Sequence, residues 1–249
     1  MLSQFSTPAI LLIGLIFVWT GFVRTGLGFG GAALGLPIML FLDDRPLYWL
    51  PIIGTHLLFF SGMTLRTRLR DVDWVYLRKS AVFIVPAAII GVFGLVNLPN
   101  QWLLAFIYGI ALFYAVIWLR NWAIHSHHDW VDKLLLIFGG YVAGTSLTGA
   151  PLMVAVFMRN VSRHQLRNTL FVLWFILVSI KMTTFTLLSV KLHLLTALLL
   201  LPVAAIGHVL GHKAHDRIMQ NDQQFKRMVG GVLLFISLLG LSKVVIYWH

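Results

Sequence analysis

Cysteine and glutamate are both absent, and eight aspartates carry all the side-chain negative charge of a 249-residue chain. Without thiols there are no disulfides, no thiolate zinc sites and no cysteine nucleophile. Charged residues reach only 11% of the chain, where soluble domains hold about 25%. With 59% hydrophobic residues and a mean hydropathy of +0.88, the composition is that of an all-α polytopic membrane protein. The acids are Asp43, Asp44, Asp71, Asp73, Asp129, Asp132, Asp216 and Asp222, and each falls in a polar connection between apolar segments. A cation pump or metal carrier commonly places carboxylates inside the bilayer, and here none is expected there. Proton coupling would have to use histidine or the substrate itself.

Other absences narrow the function further. No P-loop, Gly-x-Ser-x-Gly elbow or carboxylate pair occurs, so ATP-driven transport and hydrolysis have no residues to work with. Ser146 with His56 is the one conceivable nucleophile–base pair, and no spacing supports it, so the chain is read as a non-enzyme. The N-terminal residues carry no early Lys or Arg and no small-residue cleavage site follows, so the apolar start reads as a retained segment. The net charge of +11 is the Lys and Arg excess that orients membrane proteins, and nucleic acid is excluded as a partner. His208, His212 and His215 share a helix-face spacing, but without acids or cysteines beside them they read as a solvated basic end; no metal and no cofactor is expected.

What is present is a series of apolar segments, near residues 8–42, 47–65, 80–98, 102–119, 131–158, 165–190, 192–210 and 228–247. Six have the length of one crossing, about 20 residues. As single helices the first and fifth would measure about 50 Å and 42 Å against a hydrocarbon core of about 30 Å. Both are interrupted by Gly and Thr clusters, so each is either tilted or broken. Loop charge arbitrates. If both return as hairpins, Arg66, Arg68, Arg70, Arg78, Lys79, Arg120, Lys133, Arg159, Arg163, Arg167, Lys213, Arg217, Lys226 and Arg227 all fall on one face, opposite Arg45, Lys191 and Lys243. If every segment crosses once, the two faces are nearly balanced and carry no orientation signal. The hairpin arrangement therefore wins, with the basic face cytoplasmic and both termini outside.

An internal repeat agrees. Gly21-Phe22-Val23-Arg24-Thr25-Gly26 with Gly30 and Gly31 parallels Gly140-Tyr141-Val142-Ala143-Gly144-Thr145 with Gly149 and Ala150 at one constant offset. Pro86 and Gly91 likewise parallel Pro202 and Gly207, and Gly54-Thr55 parallels Asn168-Thr169. The expected domains are residues 1–124 and 125–249, two repeats of four helical segments, each opening with a broken, re-entrant hairpin. Three net crossings per repeat give the halves opposite orientation, the inverted-repeat plan of secondary transporters.

The glycine-rich run from Gly21 to Pro37, its echo from Gly140 to Pro151, Gly54-Thr55 and the paired Pro-x4-Gly elements resemble the sulfite exporter TauE/SafE family, also called the 4-toluenesulfonate uptake permease family. The second half departs from the family pattern, with Thr145, Leu147 and Thr148 where more glycine is usual. The resemblance implies a secondary transporter of a small sulfur-containing anion, a sulfonate or sulfite, in a bacterial cytoplasmic (inner) membrane, working by alternating access with proton coupling as an option. A passive anion channel, or a carrier of a non-sulfur organic anion, is the alternative. The partners expected are the anionic substrate and the lipid bilayer, with a homodimer as one admissible assembly.

Where a hairpin turns back, the second arm starts at mid-depth, with its unpaired N–H groups and positive dipole end facing inward. That places Gly28, Gly30 and Gly31 in the first repeat and Thr148 and Gly149 in the second at a candidate anion site, with hydroxyl donors from Thr25, Thr145, Ser146 and Thr148. Arg24 is the sharpest candidate, because a guanidinium fork matches two sulfonate oxygens and charge inside the membrane is costly. Its other reading is a cation satisfied by the carbonyls ending its own helix. His56, beside Thr55, is a candidate anion or proton binder, or a packing histidine. Asn168 and Thr169 hold the matching place in the second half, and Arg167 the cytoplasmic mouth. Lys181 is expected to snorkel outward near the end of its helix.

Overall fold

The computed structural model describes residues 5–27, 31–66, 68–122, 124, 128–220 and 222–246. It is all-helical, as the composition required. The helices are α1 (Thr7–Leu27), α2 (Gly31–Leu42), α3 (Pro46–Leu65), α4 (Trp74–Asn97), α5 (Asn100–Leu119), α6 (Asp129–Ser146), α7 (Ala150–Asn160), α8 (Arg163–Leu187), α9 (Leu194–Gln220) and α10 (Asp222–Ile246), with a 3-10 turn at Leu69–Asp71. Seven of them, α1, α3, α4, α5, α8, α9 and α10, are long and apolar enough to cross a membrane. Leu11, Leu15, Val82, Leu195, Leu198 and Phe235 stand exposed on such helices, as lipid-facing side chains do.

Both overlong segments are broken, and into unequal arms: a longer outgoing helix (α1, α6) and a return of barely three turns (α2, α7). In the first, a Cβ on Gly31 would lie 2.8 Å from Arg24 Cβ and one on Gly35 2.1 Å from Thr20 Cγ2. Advancing along α2 therefore meets earlier turns of α1, so the arms are antiparallel. Their outer ends meet as well: Phe5 stacks 6.1 Å from Trp49, whose indole Nε1 donates to Asp43 O. In the second hairpin Gly149 backs onto Gly139 and Ala143, and the ends are clasped by charge. Arg159 donates to Asp132 (2.9 Å) and Asp129 (3.1 Å), and Asn160 to Asp132 (3.2 Å). Asp129 and Asp132, expected in a connection, form the first turn of α6, where acids complement the helix dipole.

The helices gather into two compact units that do not follow the halves of the chain. Residues 1–50, 98–123 and 193–249 form one unit, and 51–97 with 124–192 the other. In the first, α1 pairs with α9 and α5 with α10; in the second, α4 pairs with α6, and α8 lies against α4 and α7. Each hairpin thus packs on the Pro-x4-Gly helix of the opposite repeat. Glycine permits this, because backbones touch: a Cβ on Gly207 would come 1.9 Å from Val18 O, and one on Gly91 2.3 Å from Tyr141 O.

These two pairings are alike but not in equal register. Gly207 meets Val18 and Phe22, whereas its counterpart Gly91 meets Tyr141 and Thr145, which correspond through the hairpin repeat to Phe22 and Gly26. Gly21 against Ala204, and Gly144 against Ala88, repeat the difference. The first hairpin is thus advanced along its partner helix by one helical turn, about 5.4 Å, relative to the second.

Candidate functional site

The tip of the second hairpin is fully described and shows how the chain builds an inward helix terminus. α6 ends where Leu147 adopts a left-handed conformation (φ 60°), returning its N–H to Ala143 O. An L-residue there costs about 1–2 kcal/mol; the equivalent position of the first repeat is Gly28, for which that conformation is free of steric penalty. The backbone then turns through Thr148 and Gly149 into α7, with Pro151 in the first turn. Thr148, Gly149 and Ala150 are all buried, and no side chain caps the start of α7. A helix has no internal acceptor for its first N–H groups, so the N–H groups of Gly149, Ala150 and Leu152 point their donor ends into the tip.

The hydroxyl groups at the tips are mostly committed to backbone carbonyls. Thr25 donates to Gly21 O (3.0 Å), Thr145 to Tyr141 O (2.9 Å), Ser146 to Val142 O (3.0 Å) and Thr55 to Pro51 O (2.9 Å). Each hydroxyl has one proton. With the Ser146 proton directed at Val142, its 2.6 Å contact with Thr148 makes Thr148 the donor of that pair. The donor supply of the tip is therefore the backbone of α7 more than the side chains beside it. Thr169 is fully buried and similarly engaged: it donates to Gln165 O (2.8 Å) and accepts the Asp73 amide (3.0 Å), which caps the approach to α4.

The remaining candidates divide between the units. Arg24, Thr25 and Gly31 belong to the first, where Arg24 sits in the last turn of α1 directly against Gly31. Thr55, His56, Thr145, Ser146, Thr148, Gly149, Asn168 and Thr169 all belong to the second. His56 is 3% and Asn168 5% exposed, so both are interior polar groups in apolar helices. Gly28 and Gly30 lie outside the described residues.

Lys181 differs from the expectation. It does not snorkel: its side chain is 0% exposed and Nζ has no hydrogen-bond partner among the described residues. The physical reason is the length of α8, which runs on to Leu187 and leaves Lys181 about 9 Å short of the helix end. Sequence reasoning also passed over Trp174, two turns earlier on α8, whose buried Nε1 likewise lacks an acceptor. A separate recess of about 280 Å³ opens in the first unit beside Asp44, Asn100, Tyr108 and Lys243. Its carboxylate makes it a poor receptacle for an anion.

The model of the family described as sulfite exporter TauE/SafE matches residues 12–239, nearly the whole chain. No curated protein sequence and no solved structure matches it.

Proposed function

We propose that this chain, which belongs to the sulfite exporter TauE/SafE family, is a secondary transporter that moves a small sulfur oxyanion, sulfite or a sulfonate, across a bacterial cytoplasmic membrane. Membership makes it a multi-pass membrane protein of a transporter family for sulfite and related sulfur anions. The observation that carries the finer reading is the buried, uncapped start of α7 at a hairpin tip, in a chain with no carboxylate inside any candidate span. Inward backbone donors without fixed negative charge suit an anion and repel nothing that is negative.

The equivalent tip in the other unit has Arg24 beside Gly31, a guanidinium fork that a pyramidal or tetrahedral oxyanion complements. The two repeats are read as inverted in the membrane. The one-turn difference in register between α1 on α9 and α6 on α4 supports alternating access: exchanging the registers would exchange which tip is advanced. His56, buried within α3, is the residue proposed to carry a coupling proton.

The test is sulfite and 4-toluenesulfonate flux in proteoliposomes. Wild-type protein should give saturable flux that responds to a proton gradient, and Arg24→Ala should reduce it to background while membrane insertion is unchanged. Undiminished flux in Arg24→Ala removes the role assigned to Arg24. Flux that never saturates and ignores the gradient identifies a passive channel instead.

A further inference from the structure

Three N–H donors along α8 are buried without an acceptor among the described residues: Arg167 Nε, Trp174 Nε1 and Lys181 Nζ. They are seven residues apart in each step. Seven residues are close to two helical turns, so the three side chains leave one face of α8 with a drift of only about 20° per step, each about 10.5 Å beyond the last.

Guanidinium, indole and ammonium N–H groups donate and accept nothing. Whatever completes this row must bring acceptors. The protein supplies rings and like charge there: Arg167 Cζ is 5.6 Å from the Phe171 ring centre and Lys181 Nζ 6.0 Å from that of Phe185, and the charged neighbour of Arg167 is another cation, Arg68. An ammonium ion removed from water with no counter-charge is costly, and an oxyanion beside it removes that cost.

Position matters as much as chemistry. A Cβ on Gly54 would sit 2.8 Å from Met182 Sδ and 3.5 Å from Val178 Cγ1, so Lys181 stands at the level of the Gly54-Thr55-His56 element of α3. Arg167 stands one turn into α8, beside Thr169 and the start of α4, at the end of the unit where Arg68, Arg70 and Arg78 gather.

We propose that α8 carries a ladder of donors for the transported oxyanion, with Arg167 at its cytoplasmic rung, the Trp174 indole as a relay, and Lys181 as the binding residue farthest from that mouth. The inference rests on the anion-transport reading and deepens it by naming where the anion is held. A pyramidal sulfite or the sulfonate head of a larger anion presents three acceptor oxygens, so it can be met by each donor in turn as it passes along the helix.

The experiment uses the full-length protein with sodium sulfite as probe, read by isothermal titration, ligand-induced thermal shift and proteoliposome flux. Lys181→Met should weaken sulfite binding at least tenfold, abolish the ligand-induced shift and bring flux to background. It should also raise the melting temperature of the empty protein, because an uncomplemented buried cation is replaced by an apolar chain. Trp174→Phe should slow flux several-fold with a smaller loss of affinity, and the exposed Lys191→Met should change neither. Wild-type affinity in Lys181→Met, or a lowered melting temperature that marks the lysine as a structural prop, overturns the ladder alone. Wild-type protein that neither binds nor moves sulfite overturns the transport reading and the ladder together.

Discussion

Thr25 Oγ1 lies 2.7 Å from His208 Nδ1, joining the last turn of α1 to α9. Thr25 Oγ1 also lies 3.0 Å from Gly21 O; with its proton directed there, the hydroxyl would accept from a His208 Nδ1–H. Two turns along α9, His215 Nδ1 lies 2.7 Å from Gly26 O, a carbonyl that can only accept. The histidines that the sequence suggested as a solvated basic end are thus partly fasteners, which satisfy polar groups where α1 breaks. His215→Ala should lower stability by about 1–2 kcal/mol by orphaning the Gly26 carbonyl. His212→Ala, at an exposed position on the same helix, should cost less than about 0.5 kcal/mol. Thermal unfolding in detergent separates the two.

The glycines at the helix crossings are predicted to tolerate no side chain. A Cβ on Gly207 or Gly91 would meet backbone oxygen at 1.9 Å and 2.3 Å, and backbone cannot rotate away. Gly207→Ala and Gly91→Ala should each cost about 1–3 kcal/mol or more through forced separation of the helices. Gly231→Ala, with nothing within 4 Å, should stabilise α10 by up to about 1 kcal/mol.

Closure of the second hairpin depends on Asp132, which is 7% exposed and faces Arg159 and Asn160. Arg159→Ala leaves this carboxylate with one weak donor and should cost about 1–3 kcal/mol. Asp132→Asn combined with Arg159→Ala should cost less than the sum of the single changes, since the charge left stranded is gone. Additive losses in a double-mutant cycle would show that the clasp is not an energetic unit.

The topology has a labelling test. The α4, α6 and α8 helices all start from one end of their unit, as the Asp73–Thr169 bond and the parallel run of Gly140 and Gly144 past Ile84 and Ala88 require. Cysteines at exposed Leu69 and Ser162 should therefore react with an impermeant thiol reagent from the same side, the cytoplasmic one. Eight single crossings would put them on opposite sides.

Acid should weaken the outer connection between α2 and α3. Asp43 is held below the usual carboxylate range chiefly by its hydrogen bond from the Arg45 guanidinium, at 2.7 Å from Nε. A depressed folded value means the contribution is complete above the unfolded pKa of about 4 and fades as pH falls through and below it. Asp43→Asn should flatten the acid limb of a melting-temperature profile between about pH 5 and 3, because it lowers the melting temperature at neutral pH and converges with wild type in acid.

The hairpins were legible because three independent signals converged on them: segments too long for the bilayer, glycine and threonine clusters inside those segments, and basic residues that share a face only if the chain turns back. The tip at Thr148 and Gly149 was legible for the same reason, since Pro151 marks an early helical position. The fate of the hydroxyls at Thr25, Thr145 and Ser146 was not read, because a helical Ser or Thr directs its proton to the carbonyl one turn back whatever its neighbours offer. Trp174 and Lys181 were missed as a pair, although seven-residue spacing of donors with no acid nearby was there to be noticed.

Composition and pattern by themselves determined a helical membrane protein, its family, and two interrupted segments whose second arms begin near residues 28–31 and 148–150. Those are consequences of local chemistry: hydropathy, helix length and the steric freedom of glycine. Only the tertiary structure decided that each hairpin packs in the unit of the other repeat's helix, that the two pairings differ by one turn, and that Lys181 is sealed in while the Ser and Thr protons are already committed. Those facts depend on which backbones come within van der Waals contact across long stretches of chain, a relation among distant residues that no single segment encodes.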